Sequence, residues 1–225
     1  MEELVTRIAD IKQRIGLAAQ KSGRTGQDIT LVAVSKMVDN DAVHQAYDLN
    51  IRDFGENRVQ ELTRKMHSLP QARWHLIGRL QTNKVKDVVG NACLIHSLDR
   101  WGLAEEINKR GQNLGVKVPV LLQVNISGED SKTGLQANDV NDFLASVGEL
   151  SAVQVLGFMT IAVQDPDPET SRPIFRELAA LKNSLAGKRI SHVDIKYLSM
   201  GMSQDYEVAI EEGANIVRIG SALFR

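Results

Sequence analysis

Lys36 is the first residue of this chain whose type and position suggest chemistry. It comes two residues after the β-rich run Ile29–Val34. In a parallel α/β fold, the residues that follow a strand lie at the carboxyl end of the sheet, where binding sites form. A partly desolvated lysine at that edge supplies the neutral amine that Schiff-base chemistry requires. The alternative is a lysine that reaches solvent or pairs with a carboxylate such as Glu56.

Two further segments combine glycine with a hydroxyl residue directly after an apolar run. The first contains Gly201 and Ser203, and the second contains Gly220 and Ser221. Each segment precedes a predicted helix, and the N–H groups at the start of a helix bind phosphate groups. Both serines could equally act as ordinary helix caps. Two such segments after the last two β-rich runs favour a phosphorylated ligand, since phosphate sites of (β/α)8 barrels recur there.

Other polar residues near strand ends are weaker indications of a site. Asn57 follows the second β-rich run, where its amide could contact a ligand or cap the next helix. His75 lies within the third run, and a histidine there is more often a hydrogen-bonded core residue than a catalyst. The five histidines show no metal-ligand spacing, so we predict no metal site.

A regular alternation of β-rich runs and helical stretches must position these residues. Strands that alternate with helices predict parallel pairing with right-handed crossovers. We predict an α/β protein with one domain over residues 1–225, a closed (β/α)8 TIM-type barrel; an open doubly wound sheet is the alternative. The eight predicted strands are Ile29–Val34, Ile51–Phe54, Trp74–Ile77, Cys93–Ile95, Val118–Val124, Val153–Gly157, Val193–Leu198 and Ile216–Ile219.

Helical spacing of apolar residues predicts a helix before the first strand and one between each consecutive pair. We expect Asp99 to cap the helix that follows the fourth strand. The predicted helices cover residues 2–22, 39–49, 58–66, 83–89, 99–113, 137–149, 172–186 and 204–212, with a short last helix opened by Ser221.

Composition limits the classes of partner. The 225 residues are 43% hydrophobic and 24% charged, with a net charge of −1, so nothing global attracts nucleic acid or an anionic membrane. The N-terminus lacks the apolar region of a secretory signal, and no apolar stretch reaches the length of a membrane span, which favours a cytoplasmic location. Cys93 is the only cysteine, and its apolar neighbours predict a core thiol.

Seven segments spread over nearly the whole chain form an ordered set. They are LVAVSK (31–36), FGENRVQE (54–61), WHLIGRLQTNK (74–84), VNIS (124–127) with KTG (132–134), GFMTI (157–161), LSMGMSQDYEVAIEEGA (198–214) and VRIGSALF (217–224). In this order they resemble the YggS/PROSC family of pyridoxal phosphate homeostasis proteins. Departures are small, such as Thr82 where the family usually has serine.

The resemblance implies a barrel similar to the N-terminal domain of bacterial alanine racemase, with pyridoxal 5′-phosphate (PLP) held as a Schiff base on the lysine after the first strand. The last two loops would cradle the phosphate, and an arginine on the last strand would face the pyridine nitrogen. The residues implied to bind the cofactor are Lys36, Asn57, Met200, Gly201, Ser203, Arg218, Gly220 and Ser221.

Arg218 in that position argues against strong catalysis. Enzymes that use PLP as a strong electron sink place a carboxylate at the pyridine nitrogen, whereas a guanidinium cannot accept its proton. A racemase also needs a second acid or base on the opposite face. In alanine racemase-like enzymes this is a tyrosine from a further domain, which we do not expect here. None of the three tyrosines, Tyr47, Tyr197 and Tyr206, is an obvious substitute.

We therefore expect a monomeric PLP carrier, and not an enzyme, that acts in vitamin B6 homeostasis and so affects amino-acid and keto-acid metabolism. Apo PLP-dependent enzymes are the candidate recipients. One alternative is a PLP-dependent amino-acid racemase with weak activity. Another is a cofactor-free Schiff-base aldolase whose glycine and serine loops bind a phosphorylated sugar.

Overall fold

Strands and α-helices alternate along the chain in the computed structural model, which describes residues 2–129, 133–162 and 165–225. The strands are β1 (Thr30–Val34), β2 (Asp53–Glu56), β3 (Arg73–Leu76), β4 (Leu94–Leu98), β5 (Val118–Asn125), β6 (Leu135–Gln136), β7 (Val153–Met159), β8 (Val193–Ser199) and β9 (Ile216–Ile219). The α-helices are α1 (Glu2–Lys21), α2 (Asn40–Asp48), α3 (Val59–Ser68), α4 (Trp101–Leu114), α5 (Val140–Val147), α6 (Arg172–Ser184), α7 (Tyr206–Glu211) and α8 (Ser221–Phe224).

Eight of these strands close into a parallel barrel. Their order is β4-β3-β2-β1-β9-β8-β7-β5, and an additional pairing of β4 with β5 joins the two ends. The two-residue β6 pairs with the end of β5 outside this ring. The predicted (β/α)8 barrel is therefore confirmed, and the open doubly wound sheet is wrong.

Alternation along the strands separates two apolar regions. The larger one lies between the barrel and its helices, and there Trp74 and Leu76 of β3 are buried. The smaller one fills the barrel interior and includes Leu94 of β4 and Ile216 of β9. Neighbouring residues of a strand face opposite sides of the sheet. The polar residues that alternate with the outer-core residues therefore face the barrel interior.

Helix α1 fixes the side of the barrel that carries the last two loops. Its buried face includes Ile8, Ile11 and Ile15, which confirms the amphipathic helix predicted from spacing. Across the surface, Arg14 forms an ion pair with Glu207 of α7 at 2.6 Å. Packing of α1 on α7 therefore supports the segment between β8 and α7 from outside.

Two helix predictions were wrong in detail. The segment predicted as a helix over 83–89 is a 3₁₀-helix, Thr82–Asp87, in which Val85 is the buried residue. Asp99 does not cap α4, which begins after Arg100. The Asp99 carboxylate instead accepts a hydrogen bond from Arg100 at 2.5 Å.

Cys93 is exposed, so the prediction of a core thiol was wrong. The residue precedes β4, and the buried part of its apolar run begins only at Leu94. Desolvation by neighbouring atoms and then the charge of Asp53 raise the pKa of the thiol. Among the helices that the structure describes, none is long and apolar enough to cross a membrane.

Candidate functional site

The register of three neighbouring strands brings the predicted site segments together. Strand β1 lies between β2 and β9, with Val34 opposite Gly55 on one side and Ala33 opposite Ile219 on the other. The residues that follow these strands, Lys36, Asn57 and Gly220, are therefore neighbours at the carboxyl end of the barrel. We call this end the mouth.

Lys36 is exposed at the mouth, because Ser35 takes the buried place at the end of β1. The expectation of a partly desolvated amine is therefore wrong for this structure. Within the described residues, the amine of Lys36 forms no hydrogen bond or ion pair. Met37 follows in the left-handed region with φ of 64° and is 90% exposed, so the chain turns sharply away after Lys36.

The alternative pairing of Lys36 with Glu56 is wrong, because a second lysine occupies that carboxylate. Lys65 of α3 donates to Glu56 and to the carbonyl of Ser35, both at 2.6 Å. The Ser35 hydroxyl donates to the same carboxylate at 2.6 Å. Lys65 and Glu56 are each 1% exposed, so this buried pair anchors the end of β1 just before Lys36.

The two glycine and serine segments meet through one hydroxyl. Ser203 Oγ accepts hydrogen bonds from the backbone N–H groups of Gly220 at 3.2 Å and Ala222 at 3.3 Å. Ser203 does not cap its own helix, since α7 begins at Tyr206 and the Asp205 carboxylate takes the N–H of Met202. The alternative of ordinary capping by Ser203 is therefore wrong.

The segment after β9 is tighter than the sequence suggested. Ser221 is exposed and is the first residue of α8, a single turn whose N-cap, Gly220, has no side chain of its own to cap it. Ser221 is therefore not a cap either. The segment contributes individual N–H groups, and a four-residue helix adds little dipole.

Two glycines allow these loops to approach closely. Gly201 has φ of 89°, and a Cβ there would lie 2.6 Å from Cβ of Ala209. A Cβ at Gly220 would lie 3.1 Å from the carbonyl oxygen of Val34. Met200, which precedes Gly201, is fully buried and forms part of the wall beneath the loop.

Arg218 is a buried cation inside the barrel. It is 4% exposed and donates to Ser199 Oγ at 2.7 Å and to the carbonyl of Thr160 at 2.9 Å. Burial lowers the pKa of its guanidinium to about 10, so the group stays charged at neutral pH. Its Nε forms no hydrogen bond within the part of the chain that is described.

Asn57 is exposed at the mouth and does not cap α3, whose N-cap is Arg58 without a side-chain bond. Its backbone is instead packed so tightly against Gly78 that a Cβ at Gly78 would overlap the Asn57 carbonyl. The amide of Asn57 is thereby held at the mouth on a fixed backbone, and the capping alternative is wrong.

Sequence reasoning missed two interior groups, His96 and Ser199. His96 contacts His75 and Ser199, and His75 also contacts Asp53. The prediction that His75 is a hydrogen-bonded core residue is confirmed. Alternation within β4 and β8 could have placed His96 and Ser199 on the interior face. In the described ranges, no group of three histidine, cysteine or acidic side chains could hold a metal ion.

The fold and the mouth define a barrel of the alanine racemase N-terminal type. The family model described as "Alanine racemase, N-terminal domain" matches residues 8–225. The chain belongs to this family and, within it, to the pyridoxal phosphate homeostasis proteins. A relative of that name from Aquifex aeolicus (strain VF5) is 44% identical over 97% of this chain and 96% of its own length. The one from Escherichia coli (strain K12) is 34% identical over 100% of this chain and 97% of its own length.

Solved structures agree with this assignment. PipY from Synechococcus elongatus PCC7942 with PLP bound superposes with a TM-score of 0.86 at 32% identity, over 99% of this chain and 100% of PipY. Alanine racemase from Clostridium difficile 630 superposes with a TM-score of 0.75 at 17% identity, which shows the fold alone. This chain covers 59% of that racemase. The resemblance inferred from the seven ordered segments is thus confirmed.

Proposed function

We propose that this chain binds PLP covalently through Lys36 and acts as a carrier in intracellular PLP homeostasis. The observation that carries the proposal is the pairing of β1 with β9, because it makes the segment that contains Lys36 a neighbour of the segment whose Gly220 and Ala222 N–H groups converge on Ser203 Oγ. Relatives that match nearly the full chain are named for PLP homeostasis, and PipY has been solved with PLP bound.

The residues present fit this cofactor. Two N–H groups already converge on one oxygen, that of Ser203, which is the arrangement a phosphate oxygen requires. Arg218 supplies a fixed positive charge with an uncommitted N–H, and the Lys36 amine is accessible. An anionic ligand with an aldehyde and a ring nitrogen therefore has a complementary group for each of its parts.

Each residue has a distinct part in holding the cofactor. The amine of Lys36 would hold the cofactor through its aldehyde carbon, in a condensation that releases water. Ser203, Gly220 and Ser221 would hold the phosphate by their hydroxyl and N–H groups, next to Met200 and Gly201. The side chain of Asn57 lines the opposite side of the pocket.

Arg218 favours retention of the cofactor over catalytic turnover of a substrate. PLP is the strongest electron sink when its ring nitrogen is protonated. The guanidinium would donate to that nitrogen and cannot accept a proton, and its charge disfavours a second positive charge nearby. The protein therefore binds the reactive aldehyde and keeps its free concentration low, with apo PLP-dependent enzymes as the recipients.

We further propose that the protein works in the cytoplasm as a monomer. The exposed large apolar side chains are spread over several elements, among them Leu17 on α1, Trp101 on α4 and Ile161 after β7. Isolated apolar residues of this kind are ordinary on monomers. Sedimentation equilibrium with and without PLP tests the monomer, and a concentration-dependent mass would contradict it.

The covalent link is tested by reduction with borohydride. We expect wild-type protein mixed with PLP to show a visible absorption band, and reduction to fix the cofactor on the peptide that contains Lys36. Lys36→Ala should lose the band, while Lys109→Ala, which removes an exposed lysine on α4, should keep it. Protein that stays colourless at saturating PLP, or label on another lysine, would contradict the proposal.

The carrier role is tested against the racemase alternative by α-proton exchange. PLP-loaded protein is incubated with single amino acids in D₂O, and loss of the α-proton signal is followed by NMR. We expect no exchange beyond that of the same concentration of free PLP. Faster exchange that Lys36→Ala abolishes would establish an enzyme and overturn the carrier role.

A further inference from the structure

A continuous chain of polar contacts crosses the interior of the barrel from β9 to β2. Arg218 Nη1 donates to Ser199 Oγ at 2.7 Å, and this oxygen lies 2.9 Å from His96 Nδ1. His96 Nε2 lies 2.9 Å from His75 Nδ1. His75 Nε2 lies 3.0 Å from the carboxylate of Asp53. All five side chains are buried, and Ser199 and His96 are wholly inaccessible to solvent.

The Asp53 end fixes the direction of the first two hydrogen bonds. Burial opposes ionisation of Asp53, but hydrogen bonds from His75 and Arg73 outweigh it and lower the pKa of the carboxyl. An ionised carboxylate can only accept, so His75 donates from Nε2. In a neutral imidazole the other nitrogen then accepts, and His96 must donate to it from Nε2.

The same logic carries the direction on to Arg218. Burial lowers the pKa of His96 well below its ordinary value, and the charge of Arg218 lowers it further, so its ring is neutral. Its Nδ1 therefore accepts the hydroxyl hydrogen of Ser199. The Ser199 oxygen in turn accepts from Arg218, which is able only to donate.

The reverse arrangement leaves a group unsatisfied. If His75 were doubly protonated, it would donate to His96, and His96 would donate from Nδ1 to Ser199. The Ser199 oxygen would then accept from both His96 and Arg218. Its own hydrogen would have no acceptor among the contacts that the described residues provide, which costs free energy in a buried site.

The series of hydrogen bonds thus has a cation, Arg218, at one end and an anion, Asp53, at the other. Every hydrogen bond in it donates in the direction from Arg218 to Asp53. Such series strengthen one another in a low-dielectric interior. The far end is itself anchored, because Arg73 holds Asp53 at 2.5 Å at the start of β2. At the near end, Ser199 and the Thr160 carbonyl hold the two terminal nitrogens of Arg218 and leave its Nε free of protein hydrogen bonds among the described residues.

We propose that Asp53, His75, His96 and Ser199 are positioning residues that orient the Arg218 guanidinium towards the ring nitrogen of bound PLP. The inference rests on the proposed function, because it assigns the purpose of the chain to the cofactor. The direction of the hydrogen bonds between Arg218 and Asp53 is a property of the ligand-free protein, so it can be measured without PLP.

The first measurement uses the unsubstituted protein without PLP. Two-bond ¹H–¹⁵N NMR of labelled histidines distinguishes a protonated Nε2 from a protonated Nδ1. We expect the proton of both the His75 and the His96 ring to be on Nε2. A proton on Nδ1 of either ring would overturn the directional chain.

The second measurement compares PLP with 1-deaza-PLP, in which carbon replaces the ring nitrogen. Both ligands keep the aldehyde and the phosphate. Only PLP has the ring nitrogen that can accept a hydrogen bond from Arg218. Ser199→Ala should weaken PLP binding about tenfold in equilibrium dialysis and leave 1-deaza-PLP binding unchanged. Ser97→Ala is the matched control, because Ser97 on β4 is equally buried but its hydroxyl has no hydrogen-bond partner among the described residues.

The outcomes separate three possibilities. Selective loss of PLP affinity in Ser199→Ala, with Ser97→Ala like wild type, supports the positioning role. Equal weakening of both ligands, or no weakening, would overturn it, since either shows that Ser199 does not act through the ring nitrogen. If the wild-type protein did not bind PLP at all, the proposed function would be overturned. Loss of PLP binding in Ser199→Ala alone would leave the proposed function intact.

Discussion

The buried pair of Lys65 and Glu56 shows how a single residue supports the mouth without touching a ligand. Both side chains are 1% exposed, and Lys65 also holds the carbonyl of Ser35. Bringing two charges out of water is costly, so such a pair stabilises only while both partners are present. Its geometric effect is to fix the backbone that ends at Lys36.

Removal of one partner should therefore be severe. We expect Lys65→Met to lower the free energy of unfolding by about 3–5 kcal/mol, because Glu56 would be left buried and uncompensated. Urea denaturation measures this change. Arg64→Ala on the same helix is the control; its pair with Glu61 is about half exposed, and its loss should cost less than about 1 kcal/mol. Equal losses in the two variants would contradict the role of burial.

At the scale of elements, the geometry of the loops after β8 and β9 depends on contacts between segments far apart in sequence. Gly201 lets the loop after β8 pass over α7 at a distance that no side chain permits. Ser203 then reaches the N–H groups that follow β9. The interaction of α1 with α7 supports the same region from outside. The loop geometry is thus set by the packing of three elements.

Gly201→Ala should disrupt this arrangement. A left-handed φ costs alanine about 1–2 kcal/mol, and the clash with Ala209 adds about 1–3 kcal/mol. Gly187→Ala separates the two effects, since Gly187 has φ of 82° but nothing within 4 Å of an added Cβ. We expect thermal unfolding to show the larger loss for Gly201→Ala, and PLP binding to weaken only there. A similar loss in both variants would show that backbone strain alone explains the effect.

At the scale of the whole molecule, closure of the barrel links the ligand site to global stability. Strands β1 and β9 are neighbours, so a ligand held by Lys36 and by the loop after β9 would bridge the two ends of the chain. A ligand that binds only the folded state stabilises it in proportion to the logarithm of its concentration. The site and the fold should therefore respond together.

PLP should raise the melting temperature of the protein. At about 100 times its dissociation constant a ligand adds about 2.7 kcal/mol, which corresponds to a shift of about 5–10 °C for a chain of this size. Pyridoxal, which lacks the phosphate, should give a much smaller shift in differential scanning calorimetry, and so should PLP added to Lys36→Ala. Equal shifts with pyridoxal and PLP would contradict a role of the loops in phosphate binding.

The sequence by itself determined the parts of this protein that depend on local pattern. Alternating apolar runs predict the eight barrel strands, and glycines and polar residues after those runs mark the mouth, because strand ends are a local property. The short 3₁₀-helix and the exposed Cys93 escaped this reasoning. A short apolar run does not reveal the period or the edge at which burial begins.

Only the tertiary structure decided which groups meet. The sequence suggested Glu56 as a partner of Lys36, whereas the packing of α3 on β2 pairs that carboxylate with Lys65. The barrel also joins Asp53 to Arg218 through residues of three other strands. The physical reason is that alternation tells which face a side chain takes, while its partner depends on strand register and barrel closure, which bring together residues more than a hundred positions apart.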